Sequence, residues 1–304
     1  MQESMHKYMK VGLIHFMAYP ETSKGEGPIL ETLRRILLDD YFTAVEIAWI
    51  KDPEIRKKAR RMLETSKVEV AYGAHPRLLS TGLNLNDLAE DGRQKALATC
   101  REGINEAYDL GAVGFAFLSG KYPEAKKQEA FDRLVDSTNQ LCDYAKTKGK
   151  MKVILEVFDH TIDKKSIIGP ANLARKLAEA VTRHHDNFGL LVDLSHIPLI
   201  GESPAEAILP VREYLVQAHL GNCVMGDPGQ PAYGDCHPRF GFPNGTNDVE
   251  QVLEFLKVLK EIHFLNTQNP PIVSFEIKPF GDDDPDLVIA NAKRTLNEAW
   301  ARLD

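Results

Sequence analysis

Eight short apolar runs, each followed by a segment that does not continue the run, constrain this chain more than any other feature. They are KVGLIHF (10–16), AVEIAW (44–49), VEVAYGA (68–74), VGFAFL (113–118), KVILEVF (152–158), FGLLVD (188–193), YLVQAHL (214–220) and IVSFEI (272–277). Each is bounded by turn residues and rich in Val, Ile, Leu or Phe, as strands buried on both faces are. Helical spacing fills the gaps between them. GPILETLRRILLD keeps Ile29, Leu33, Ile36 and Leu37 on one stripe, and 87–109 places Leu88, Ala96, Cys100, Ile104, Ala107 and Tyr108 similarly. FDRLVDSTNQLCDYAKTKG runs to a glycine stop, and 169–186, 203–211, 247–262 and 284–302 supply further helices. Strand–helix alternation with no break in composition predicts an α/β fold, a parallel sheet closed into a (β/α)8 barrel. The expected organisation is one TIM-barrel domain over residues 1–304. A doubly wound open sheet is the runner-up, but no GxGxxG or GxxxxGK[ST] follows a strand.

Composition narrows the function classes. A net charge of −7 argues against binding a phosphate backbone, so no nucleic-acid partner is expected. No apolar run approaches the length of a membrane span, and MQESMHKYMK lacks the apolar core of a secretory signal. Cys100, Cys142, Cys223 and Cys236 are scattered without CxxC spacing, which suits reduced thiols in a cytoplasmic protein.

The last four runs share a feature. Glu156 in VILEVFD, Asp193 in GLLVDLSH, His219 in YLVQAHLGN and Glu276 in IVSFEIKP each lie near the carboxyl end of a strand. A charge in such a run is costly unless compensated. Their recurrence at equivalent places suggests one shared compensator, a divalent metal ion. Residues two apart on a strand share a face, so each run can aim one ligand at the barrel axis. Three carboxylates and one imidazole form a hard set that favours Mn²⁺, with Mg²⁺, Co²⁺ or Zn²⁺ as alternatives. The bland reading is four unrelated residues, each satisfied by a neighbouring Arg or Lys.

This order of Glu, Asp, His and Glu around LEVFDH, VDLSH, HLGN and SFEIKP resembles the xylose-isomerase-like superfamily of sugar isomerases and epimerases. Its D-tagatose 3-epimerase, hydroxypyruvate isomerase and inosose dehydratase branches share it. The resemblance implies that Glu156, Asp193, His219 and Glu276 bind one divalent metal, and that Glu156 and Glu276 are also the catalytic acid–base pair. His196, in the D-x-x-H of VDLSH, resembles the histidine that contacts substrate oxygen.

The long Gly- and Pro-rich stretch 221–246 is expected at the carboxyl mouth of the barrel. Cys223, Val224 and Met225 stand where relatives often carry an arginine, which leaves Asp227, Asp235, His237 and Arg239 as the nearest polar candidates. His237 and Arg239 could close over the substrate, or belong to an ordinary surface loop. Lys278, two past Glu276, is a substrate contact or an ion-pair partner. Glu46 is read as reaching the sugar's far end, and His75 as a further contact. His15 and Arg77 are weaker candidates. Phe16, Trp49, Tyr72 and Phe117 are an apolar wall or plain barrel packing. A competing soft zinc site would use His219, Cys223, Cys236 and His237, although adjacent Cys–His ligands are sterically awkward.

The expected function is a metal-dependent isomerase or epimerase of a keto-sugar or related polyol-derived compound, working through an enediolate. Elimination by a dehydratase or lyase is the closest rival, since loss of a β-hydroxyl starts from the same species. An apurinic-site endonuclease and a non-catalytic sugar-binding barrel are further alternatives. The expected partner is a small carbohydrate, and exposed barrel helices allow a homo-oligomer.

Overall fold

A computed structural model of the chain describes residues 3–303. Its strands are β1 (Lys10–Leu13), β2 (Ala44–Ile47), β3 (Glu69–Gly73), β4 (Gly114–Leu118), β5 (Lys152–Val157), β6 (Phe188–Asp193), β7 (Leu215–Gly221) and β8 (Ile272–Glu276). All pairs are parallel and run in sequence order, with β1 returning to β8. The eight-stranded sheet is nearly closed. At the seam between β1 and β2 only the Ile14–Glu46 bridge and a Thr43 N–H to Val11 O bond of 2.9 Å remain.

The alternation of side chains along each strand divides the core in two. Val11, Leu13, Val45, Tyr72, Phe115, Phe117, Val153, Leu155, Val192, Leu220 and Phe275 belong to the large core shared with the helices. The opposite positions form small clusters, Ala44 with Ala71 and Ile272, and Ala116 with Ile154 and Leu191. Small residues suit the narrow barrel interior. Glu46, Glu156, Asp193 and Glu276 share the parity of the inner residues on their strands, and with His219 they lie nearer the carboxyl mouth.

Three expectations change. The first strand stops at Leu13, and His15–Ala18 forms a helical turn; the His15 ring, turned to Thr32 Oγ1 at 2.7 Å, favours that turn. A helix that the apolar pattern hid spans Pro53–Ser66 and buries only Ala59 and Leu63. Its start is set by Asp52, whose carboxylate accepts from the amides of Glu54 and Ile55. Tyr72 and Phe117 face outward into the helix-packed core, so they are packing and no sugar wall. No helix among the described residues is long and apolar enough to cross a membrane.

Candidate metal centre

Neighbouring strands supply the central cluster. Asp193 pairs in register with His219, and Gly221 with Glu276. Gly221 is needed there: a Cβ would lie 2.8 Å from the Glu276 carbonyl oxygen and 3.2 Å from His237 Cδ2. Glu156, Asp193, His219 and Glu276 each offer a donor atom, and these atoms lie within 4.8 Å of one another. All four residues are buried. His219 is central, with Nδ1 at 2.7 Å from Glu276 Oε2 and 3.5 Å from Glu156 Oε1. On the ring's other side, Nε2 lies 3.0 Å from Glu46 Oε1.

A second group adjoins the first and shares Asp193 with it. Donor atoms of Asp193, His196 and His237 also lie within 4.8 Å of one another. Asp193 is held by a turn in which its Oδ1 accepts from the Ser195 amide at 2.6 Å. His237 Nε2 stands 3.3 Å from Asp193 Oδ2 and 3.0 Å from Ser195 Oγ. His237 sits at φ 53°, a left-handed conformation uncommon outside glycine, which here turns the ring inward. Asp235 joins this group, its Oδ1 3.0 Å from His196 Nε2 and its Oδ2 2.7 Å from Lys164 Nζ. Lys164 comes from the loop after β5, which Asp159 organises by accepting from the amides of Ile162, Asp163 and Lys164. Phe158 lies between His75 and His196, its ring 5.7 Å and 4.2 Å from theirs.

The fields of these groups oppose burial. Burial alone would lower the His219 pKa, but Glu46 and then Glu156 hold it well above the usual histidine value. His196 and His237 are likewise raised against burial, to about 10 and about 9, chiefly by Asp235. Glu156 is lowered, as His219 and His75 outweigh desolvation. Glu276 is raised, by burial and by the charges of Glu156 and Asp193, with His237 opposing.

Several buried polar atoms have no hydrogen-bond partner: Glu156 Oε1, His75 Nε2, His196 Nε2, Asp235 Oδ1 and His237 Nδ1. His75 Nε2 is only 3.0 Å from Glu156 Oε2, yet it too is in this orphaned set. Close approach without hydrogen-bond alignment is what donor atoms directed at a common cation show. Three carboxylate oxygens and one imidazole nitrogen form a donor set that fits a divalent ion.

The other sequence candidates separate clearly. His75, His196, His237 and Glu46 join the cluster. Arg239 does not: its Nη1 donates to the carbonyls of Phe240 and Gly241, and its guanidinium lies over Phe242. Lys278 is exposed; its backbone amide donates to His237 O at 2.7 Å, but its ammonium has no partner among the described residues. Arg77 is structural, bonded to Tyr72 and Glu106. The soft zinc site is not formed. Cys223 Sγ faces Thr246 Oγ1 at 3.0 Å, Cys236 Sγ faces Tyr233 O, and all four cysteines are free. Lys164 is the participant that sequence reasoning missed, and Asp235 was one of several polar candidates in its loop, because loop residues carry no periodic signal.

A (β/α)8 barrel with a buried carboxylate–histidine centre at its carboxyl mouth defines the class. The chain belongs to the xylose isomerase-like TIM barrel family, whose pattern it matches over residues 39–298. Among solved structures, a D-tagatose 3-epimerase-like protein superposes with a TM-score of 0.70, covering 97% of this chain and 100% of its own at 19% identity. The IolI protein with a bound zinc atom gives 0.73, with 97% and 99% covered at 17% identity. D-psicose 3-epimerase with D-tagatose, from Clostridium cellulolyticum H10, gives 0.66, with 97% of each chain covered at 19% identity. At such identities the likeness is one of fold. No curated protein matches the chain in sequence.

Proposed function

We propose that the protein is a divalent-metal-dependent isomerase or epimerase of a keto-sugar or related polyol-derived hydroxy-carbonyl compound. The carrying observation is the convergence of donor atoms from Glu156, Asp193, His219 and Glu276 within 4.8 Å of one another, on four successive strands. The structural neighbours named as ketose epimerases agree with this reading.

A bound cation, with Mn²⁺ favoured, would supply Lewis-acid polarisation of the substrate carbonyl. The remaining chemistry falls to the chain. Removing a proton from the carbon beside the carbonyl needs a base held at that carbon, and returning one to the other face needs an acid opposite. Glu156 on β5 and Glu276 on β8 are the carboxylates for those roles. The raised pKa of Glu276 suits a group that holds a proton in part of the cycle. Burial of the cluster excludes water from the enediolate. Elimination remains the alternative outcome of the same proton abstraction.

One observation favours a second cation position beside the first. His196 Nε2 and Asp235 Oδ1 are buried and orphaned 3.0 Å apart, next to Asp193 and His237. In that reading His196 and His237 hold a cation instead of a substrate hydroxyl, and Asp193 bridges. Metal content per chain after Mn²⁺ loading and gel filtration distinguishes one ion from two.

The test of function is incubation with Mn²⁺ in deuterated water across ketohexoses, ketopentoses and inososes. Metal-dependent deuterium uptake beside the carbonyl is expected for at least one substrate, with unchanged formula for isomerisation and loss of water for elimination. No exchange on any member by metal-loaded protein would overturn the reading.

A further inference from the structure

Glu46 stands apart from the other buried glutamates. It lies on β2, across the barrel from β7, and is 2% exposed. Burial of a carboxylate demands partners. Glu106 shows the ordinary solution: its oxygens accept from the Ile50 amide at 2.6 Å, Arg77 Nη2 at 2.7 Å and Arg56 Nη1 at 3.0 Å. Among the described residues the Glu46 carboxylate has a single partner, His219 Nε2 at 3.0 Å. Nothing cationic from the helices reaches it.

That contact fixes which way the imidazole works. An ionised carboxylate only accepts, so Nε2 must carry the hydrogen. At 3.4 Å the Gln217 amide nitrogen is the more distant neighbour of the same Nε2. Nδ1 is then the nitrogen whose proton a cation would displace, on the side where Glu276 Oε2 and Glu156 Oε1 converge. We propose that Glu46 is a positioning residue: it selects the His219 tautomer with hydrogen on Nε2, locks the ring plane, and so aims Nδ1 as a metal-binding donor. The inference rests on the metal reading above and adds a carboxylate behind the histidine, which makes the nitrogen a better donor. It also ties the ligand set to the seam, because Glu46 forms the bridge to Ile14 that joins β2 to β1. Glu46 therefore acts through His219 and touches no substrate.

The test measures metal affinity and tautomer together. Dissociation constants for Mn²⁺ and Zn²⁺ are measured by chelator competition in the full chain, its Glu46→Gln variant and its Glu46→Leu variant. Glu46→Gln keeps an acceptor without charge and is expected to weaken binding about 10-fold; Glu46→Leu removes both and approaches about 100-fold. Long-range ¹H–¹⁵N spectra of histidine-labelled, Zn²⁺-loaded wild-type protein, assigned by loss of signal in His219→Gln, are expected to show hydrogen on Nε2 of His219. Circular dichroism of the metal-free forms checks folding, and the tautomer readout needs no Glu46 variant. Unchanged dissociation constants in both folded variants, or hydrogen on Nδ1 in the wild type, would overturn the positioning role while leaving the metal centre intact. Failure of the wild type to bind either ion would overturn the metal reading and this inference with it.

Discussion

At the scale of single residues, the buried carboxylates divide by their partners. The ion-pairing partners of Glu276 are imidazoles, His219 at 2.7 Å and His237 at 3.4 Å, and no arginine or lysine among the described residues pairs with it, which leaves it free to exchange a proton. Glu276→Gln is expected to lower turnover by about 10²–10⁴-fold, the usual worth of a general acid–base, while the melting temperature stays near that of wild type. Near-parental turnover in a folded variant would refute the assignment. Glu106, by contrast, is held by Arg77 and Arg56. Glu106→Ala is expected to cost about 3–5 kcal/mol in urea denaturation by stranding a buried guanidinium. A loss below about 1 kcal/mol would show the network to be unimportant. The strand-borne members of the centre were legible in sequence because period-two alternation assigns them a face. Asp235 was one of several polar candidates in its loop, and the inward turn of His237 was not legible, since it depends on a left-handed backbone that no pattern encodes. The Glu46–His219 contact joins residues far apart in sequence, and only barrel closure brings them together.

At the scale of elements, the first strand shows how one side chain redirects the chain. His15 turns away from the barrel mouth into a buried niche, where Thr32 Oγ1 donates to Pro28 O and accepts from His15 Nε2. Burial lowers the His15 pKa from 6.5 to about 4, so the folded protein holds the ring neutral. Protons therefore bind the unfolded chain more tightly, and this contribution is complete above the ordinary histidine range. It is expected to fall away as pH drops from about 6.5 to about 4, by about 3 kcal/mol in total. Denaturant titrations across that window should show the loss in wild type and a flatter profile in His15→Gln. Equal slopes would contradict it. The helix Pro53–Ser66 escaped the apolar pattern because it lies nearly bare on the surface, with charge on half of its positions. Its capping residue was the available sign. Asp52→Ala is expected to cost about 1 kcal/mol, read from thermal or urea unfolding.

At the scale of the whole molecule, the eightfold alternation predicted the barrel, and the ring of parallel strands agrees. Closure itself was not legible, because strand order does not reveal how firmly the last seam is joined. β5 and β6 pair continuously from Val153 to Val157, whereas the seam between β1 and β2 is joined by one bridge and the Thr43–Val11 backbone bond. Hydrogen–deuterium exchange is expected to be faster in β2 than in β6, and metal loading should slow β2 in particular, since Glu46 links that strand to His219. Uniform protection around the barrel, unchanged by Mn²⁺, would contradict this linkage. The most direct measurement is anomalous diffraction from crystals of the Mn²⁺-loaded protein, recorded at the manganese edge. The account predicts a peak within coordination distance of Glu156, Asp193, Nδ1 of His219 and Glu276. No peak among those side chains, in crystals where manganese binds elsewhere or not at all, would contradict it.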